Sequence, residues 1–331
     1  MENKIISSEM LDKVIKDKAV RTAVTRESHE WFFPVYLNRY MNYPTAKFQT
    51  ELIKITERND LNLAVIVAFR GSAKSTIMTM SYPIWAVLGR QQKKFVLILS
   101  KTQQQAKLHF TNLKKVLENE TLLRSDLGPF KEEVDEWGSY TLVIPKYNAR
   151  ITAASSEQSI RGMRHGEHRP DLVICDDVED LQSVKTREGR NKTYQWFTSE
   201  VLPIGDKGTK IILIGNLLHE DSLLMRVKED IEEGRRAGII RTYPIVNEEG
   251  VITWSSKYPT LKDIEEEKKR IGDRVAWERE FMLNIVPDAD QVIDPKWIKF
   301  YEEMPRFDSS DYIGTYIGID PAISEKDTAD K

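Results

Sequence analysis

Two groups of residues in this sequence have the types and spacing to do chemistry together: Arg70-Gly71-Ser72-Ala73-Lys74-Ser75-Thr76, and the carboxylates Asp176-Asp177. Small residues leading into Lys-Ser-Thr at a helix start make an anion cradle. Backbone N–H groups face the anion, Lys74 supplies a cation for β- and γ-phosphates, and the Ser75 hydroxyl can ligate Mg²⁺. Asp176 can hold the same Mg²⁺ directly or through water, and Asp177 is placed to orient and polarise an attacking water. Many ATPases carry glutamate in that second position. Aspartate is one methylene shorter, so Glu179 is a second candidate. Asn216, following Gly215, is an amide suited to bond the γ-phosphate or the attacking water and to pass the nucleotide state outward. The chemistry these residues imply is hydrolysis of ATP with Mg²⁺.

The loop departs from the usual pattern, which has glycine six residues and one residue before the lysine; those positions are Ala68 and Ala73. Alanine is expected to serve only where φ stays below zero. Upstream, Phe48-Gln49 opens a helix, and the Gln49 amide suits either an adenine edge or a plain helix start at the surface. The segment from Ser155 to Pro170 is rich in Gly, Arg and His, and suits an arginine that reaches a phosphate. His165, Glu167 and His168 in the same segment are weak evidence for a metal, because no further ligand cluster lies nearby. Trp31, Phe32, Phe33 and Tyr36 are expected in a core rather than stacked on bases. Lys101, Lys107, Lys114 and Lys115 could give one helix a basic face toward DNA, although a solvated face is the commoner outcome.

These residues need elements to hold them. Leu63 to Val67, Lys94 to Ser100, Leu172 to Asp176 and Lys210 to Gly215 are apolar runs that suit strands buried on both faces. A strand pair is expected at Tyr140 to Ile144 and Arg150 to Ala154, and a last strand at Ile239 to Ile245. Helical patterns cover residues 8 to 24, Ser28 to Tyr40 with Pro34 interrupting it, Ile77 to Val87 with a kink at Pro83, Gln103 to Asn119 capped by Thr102, 181 to 200, and Leu261 to Ile285. Strands alternating with helices predict an α/β fold, a parallel sheet covered on both faces that binds its ligand at the strands' C-terminal ends. Residues 286 to 311, with Pro287, Pro295 and Pro305, read as a linker. Tyr312 to Asp320 reads as a fresh strand ending in a carboxylate.

The 331 residues suffice for a sizeable core, and 40% hydrophobic with 31% charged residues describe a globular protein. A net charge of −3 gives no global sign of nucleic-acid binding, so any DNA contact must be local. The single cysteine, Cys175, excludes an internal disulfide and fits a reducing compartment. The first residues lack the apolar core of a signal peptide, and no apolar run approaches the roughly 18 residues of a membrane span. Cytoplasm is the expected compartment, with no membrane partner.

The sequence resembles the large terminase subunit of tailed bacteriophages, the motor that packages DNA into a procapsid. The resemblance covers most of the chain. It rests on Ala68 to Thr76, Leu172 to Asp177, Ile214-Gly215-Asn216 and Tyr316-Ile317-Gly318-Ile319-Asp320-Pro321-Ala322. It implies a P-loop NTPase of the ASCE type in four parts. These are an N-terminal helical region with the adenine segment at 1–60, the ATPase core at 61–247, a helical lid and linker at 248–311, and the start of a ribonuclease H-like nuclease at 312–331. Arg70 matches an arginine beside the phosphates, Arg161-Gly162 the arginine offered to a neighbour's ATP with Arg164 as competitor, and Gly215-Asn216 the coupling motif. Asp320 matches the nuclease's first metal-binding aspartate, but the remaining acidic residues are absent. The chain therefore reads as an ATPase cut shortly after the nuclease begins, with nuclease activity lost. The implied partners are double-stranded DNA, the portal protein, the small terminase subunit and further copies in a ring, against a monomer in isolation, in host cytoplasm and transiently at the procapsid portal. Two other classes fit the motifs: another P-loop enzyme, such as a helicase or a small-molecule kinase, and a non-hydrolysing scaffold whose loop Ala68 and Ala73 have spoiled.

Overall fold

Strand β1, Leu63–Ala68, lies second from one edge of a seven-stranded sheet in the computed structural model, which describes residues 8–131 and 137–285. The other strands are β2 (Phe95–Ser100), β3 (Thr141–Ile144), β4 (Ala149–Ser155), β5 (Leu172–Asp176), β6 (Lys210–Gly215) and β7 (Ile239–Tyr243). Their order is β3-β4-β2-β5-β6-β1-β7, with only the β3–β4 pair antiparallel. Strand β6 pairs with β5 on one side and β1 on the other, so the ends of β1, β6 and β5 stand side by side.

β1, β2, β5 and β6 are buried along their whole length. Successive side chains point to opposite faces, and the two faces feed two apolar clusters. Ala64, Ile66, Val96, Ile98, Ile174 and Ile212 belong to one cluster, and Val65, Val67, Leu97, Leu99, Val173 and Leu213 to the other. Burying such a side chain is worth about 1.5–3 kcal/mol, so both faces must be covered.

The helices are α1 (Ser8–Lys16), α2 (Lys18–Glu27), α3 (His29–Leu37), α4 (Lys47–Glu57), α5 (Tyr82–Leu88), α6 (Gln103–Asn119), α7 (Thr121–Leu127), α8 (Leu181–Lys185), α9 (Arg187–Trp196), α10 (Leu223–Glu232), α11 (Leu261–Ile271) and α12 (Arg274–Trp277). Phe32, Phe33 and Tyr36 of α3 pack in the first cluster, as core residues. Trp254, Tyr258, Ile264, Trp277 and Phe281 join the same cluster, so α3, α4 and residues 254–281 share a core with the sheet. Phe197, Val201, Leu223 and Val227 cover the opposite face.

Several helices differ from the sequence reading. Pro34 lies inside α3 rather than interrupting it. The helix expected from Ile77 winds as a π-helix over Thr76–Ser81, with the Tyr82 amide reaching the Ile77 carbonyl, and becomes α-helical only at Tyr82. Pro83 then sits in the first turn of α5, where its missing N–H does no harm. The helix expected over 181 to 200 breaks at Thr186, whose hydroxyl accepts from the Gly189 amide and starts α9 afresh. That expected from Leu261 ends at Gly272, which takes the left-handed conformation at φ +69. Thr102 caps α6 as expected, its hydroxyl accepting from Gln105 N at 3.2 Å. The proposed linker and the strand ending in Asp320 lie outside the described residues.

Candidate active site

The loop after β1 is pinned from three sides. Ser72 N donates to Phe69 O at 3.1 Å, closing the turn, and Ile77 N donates to Ala73 O at 3.1 Å, starting the helix. The Gln49 amide donates to Ser72 O at 2.9 Å, and Lys257 Nζ donates to Gly71 O at 2.8 Å. Gly71 has φ +76, which favours glycine; a Cβ there would stand 3.0 Å from the Lys257 Nζ, a flexible tip that could move aside. Ala73 has φ +67, which overturns the expectation that alanine serves only at negative φ. The contacts that fix the carbonyls on either side over-determine the turn, and the methyl group is carried in the left-handed region.

Gln49 is likewise reassigned. It is fully buried, its amide oxygen accepts from Ala46 N at 2.9 Å, and its NH₂ holds Ser72 O. Its amide is engaged by the protein's own backbone, and it is not a surface residue.

Lys74 is buried behind the loop, donating to Ala68 O at 3.0 Å and to Asn216 Oδ1 at 3.2 Å. Asn216 Nδ2 donates to Glu280 Oε2 at 2.6 Å, and Arg70 N donates to Glu280 O at 2.8 Å. The Arg70 guanidinium stands 3.8 Å from Glu280 and is 71% exposed, free to turn toward an anion in the cleft. Ser75 and Thr76 follow Lys74, half-buried, with Thr76 opening the π-helix.

Asp176 ends β5 in a buried position. Its Oδ2 accepts from Thr79 Oγ1 at 2.6 Å and lies 3.7 Å from His109 Nε2, while Oδ1 is buried with no partner among the described residues. The hydroxyls of Ser72, in the loop, and of Ser100, at the end of β2, are also buried and unpartnered. Buried polar atoms are bonded in nearly all native sites. Orphaned acceptors and hydroxyls at the ends of adjacent strands, with Lys74 beside them, therefore fit a bound phosphate and its metal ion.

Asp177 takes φ +48, its N–H donating to Ile214 O at 3.0 Å and its carbonyl accepting from Lys101 N at 3.2 Å. This backbone aims its carboxyl into the cleft, open to water but walled by protein. Partial burial, then the charge of Asp176, push it up to about 6 against the pull of Lys74. Glu179, at the cleft wall, is engaged by backbone: its carboxylate accepts from Leu223 N at 2.8 Å and Leu224 N at 3.4 Å, capping α10. Burial raises its pKa, and those two amides oppose the rise. Arg70, Lys74, Asp177, Glu179, Asn216 and Glu280 all line a cleft of about 550 Å³.

Arg161 and Arg164 are exposed on the loop after β4 and do not line this cleft; Arg161 Nε lies 3.5 Å from Glu200. His165 and His168 pair through their backbones at 2.9 Å, and no group of three metal-ligating side chains occurs among the described residues. The lysine face of α6 folds partly onto its neighbours. Lys114 Nζ donates to the carbonyls of Trp137 and Gly138, and Lys107 stands 6.0 Å from the Tyr140 ring. No helix among the described residues is long and apolar enough to cross a membrane.

Three site residues escaped the sequence reading. Glu280 and Lys257 sit in polar, charged stretches that look like any solvated surface. Thr79 gave a signal that could have been used, a lone hydroxyl in an apolar helix one turn beyond Ser75.

A scan of protein-family models finds no match, and a comparison with curated proteins finds none. Among solved structures, the HK97 bacteriophage large terminase superposes with a TM-score of 0.52 at 16% identity, covering 82% of this chain and 54% of that one. The ATPase domain of the Thermus phage P74-26 large terminase, solved as a variant, gives 0.50 at 13% identity, covering 79% of this chain and all of that one. At these identities the likeness is one of fold, and the chain spans about half the length of the HK97 protein.

Proposed function

We propose that this chain, which has the fold of the bacteriophage large terminases, is the ATP-hydrolysing part of a DNA-packaging motor. The observation that carries the reading is the meeting of Lys74, Asp176, Asp177 and Asn216 at the C-terminal ends of β1, β5 and β6. In an open parallel sheet, that is where ligands bind.

Lys74 trades its bonds to Ala68 and Asn216 for the β- and γ-phosphates of ATP. Ser75 Oγ and Asp176 Oδ1 would hold Mg²⁺, which when bound neutralises charge on the transferring phosphate. Asp177, ionised at neutral pH yet basic for a carboxylate, accepts the proton of the attacking water. Glu179 is left to cap α10. Asn216, bonded to Lys74 and to Glu280, reports phosphate occupancy to the C-terminal segment. Arg70 acts in cis, and Arg161, with Arg164 as competitor, reaches a neighbouring copy's ATP within a ring. Double-stranded DNA is the translocated substrate. The portal protein and small terminase subunit are the partners, in host cytoplasm and transiently at the procapsid.

Steady-state ATP hydrolysis with and without double-stranded DNA, on wild type, Lys74→Ala and Asp176→Ala, tests this. Turnover raised by DNA and abolished by both substitutions is expected. Transfer of phosphate to an added small acceptor would make the chain a kinase instead. ATP turnover indifferent to Lys74→Ala would overturn the reading.

A further inference from the structure

The Asp176 carboxylate is held by one side chain that the ATPase reading does not use. Thr79 is fully buried on the π-helix behind the phosphate loop, one turn beyond Ser75, and its hydroxyl is 2.6 Å from Asp176 Oδ2. His109 Nε2, on α6, lies 3.7 Å from that same oxygen, too far for a hydrogen bond. The opposite oxygen, Oδ1, is buried and unpartnered. A hydroxyl has a single proton to give. Bonding Oδ2 fixes the rotation of the carboxylate and leaves Oδ1 as the oxygen free for a ligand.

We propose that Thr79 is the positioning residue of the metal site: it locks Asp176 so that Oδ1 is the metal-facing oxygen, and so makes nucleotide binding depend on a divalent cation. This rests on the ATPase reading above. Two placements support it. Thr79 follows Ser75 along the same helix, so the hydroxyl that ligates and the hydroxyl that orients are carried by one element. The segment also winds as a π-helix, a departure from α geometry that recurs at functional sites. Removing a group that orients a metal ligand typically costs about 10–100-fold in metal affinity. Without the Thr79 proton, Oδ2 would be a second buried oxygen with no hydrogen bond, and the carboxylate would turn or take up a proton itself.

The test measures binding of a fluorescent ATP analogue in excess Mg²⁺ and in EDTA, on wild type, Thr79→Val and Thr79→Ser, with a melting curve of each protein. In wild type, Mg²⁺ should tighten binding. In Thr79→Val that tightening should shrink by about tenfold or more, with the affinity in EDTA unchanged, and Thr79→Ser should restore it. Thr79→Val binding as wild type in both conditions would overturn the proposal. So would an equal loss in both, which would mean that Thr79 only shapes the helix. Should Thr79→Val fail to fold, Thr79→Ala, which also removes the donor, is read the same way. Wild type that binds no nucleotide in either condition would instead overturn the ATPase reading, and this inference with it.

Discussion

Ala73 carries a methyl group at φ +67, in a conformation that ordinarily favours glycine. Left-handed backbone costs an L-residue about 1–2 kcal/mol, whereas a glycine there would add about 0.4–1 kcal/mol of unfolded-chain freedom. The first exceeds the second, so alanine is held here at a net cost of up to about 1 kcal/mol. Ala73→Gly should therefore raise the urea midpoint slightly, while Ala73→Val, with its branched Cβ, should destabilise by about 1–3 kcal/mol. Asp177 supplies a second test. Its carboxyl is raised from the usual 3.8 to about 6, so the folded state binds the extra proton between those values. Stability from this group is present at low pH and is lost as pH rises through about 6. Asp177→Asn should melt above wild type at neutral pH, with an advantage that disappears toward pH of about 4, and should not hydrolyse ATP. In wild type the acid limb of kcat/KM for ATP should fall near pH 6, and Glu179→Gln should keep that limb because Glu179 serves α10.

At the scale of elements, the strands were legible and the helices less so. β1, β2, β5 and β6 are buried on both faces, so their sequences are unbroken apolar runs that read as strands without any tertiary knowledge. The breaks at Thr186 and Gly272 and the π-turn at Thr76–Ser81 leave little mark on the periodicity, because polar and apolar positions continue through them. Within the site, Lys74, Asp176, Asp177 and Asn216 were legible because each ends or follows such a strand. Gln49 was not, since its partner is the backbone carbonyl of Ser72, which no sequence displays. Lys210 shows the same thing in a structural role. From the first residue of β6 its Nζ donates to the carbonyls of Ile55, Thr56 and Arg58 at 2.8, 2.9 and 2.7 Å, closing the C-terminus of α4. Burial, then the charges of Lys93 and Arg58, pull its pKa below the usual lysine range, against the opposing charge of Asp60. Lys210→Met would strand those carbonyls. Chemical denaturation should show a loss of about 2–4 kcal/mol, with ATP affinity of the folded fraction unchanged, since Lys210 lies at the opposite end of β6 from Asn216.

For the whole molecule, the cleft has cations of its own in Lys74 and Arg70, while Arg161 and Arg164 stand on an outer loop away from it. If one of them completes a neighbour's site, specific activity must rise with protein concentration, because an isolated copy lacks that charge. A steep rise in turnover per molecule is expected, lost in Arg161→Ala and retained in Arg164→Ala. Mixing Arg161→Ala with Lys74→Ala, each inactive alone, should recover activity through mixed neighbours, and a flat profile with no recovery would remove the arginine from that role.

Cys175, one residue before Asp176 in the middle of the sheet, is the only thiol in the chain and is fully buried, with burial pushing its pKa up. A thiol reagent added to the native protein has nothing to attack until β5 is laid open. The rate of that attack is thus a clock on sheet opening, readable with no engineered label, and a bound nucleotide should slow it. The same seclusion means that a cysteine introduced on the loop carrying Arg161, or anywhere else on the surface, would take a dye or spin label alone, in the otherwise native sequence.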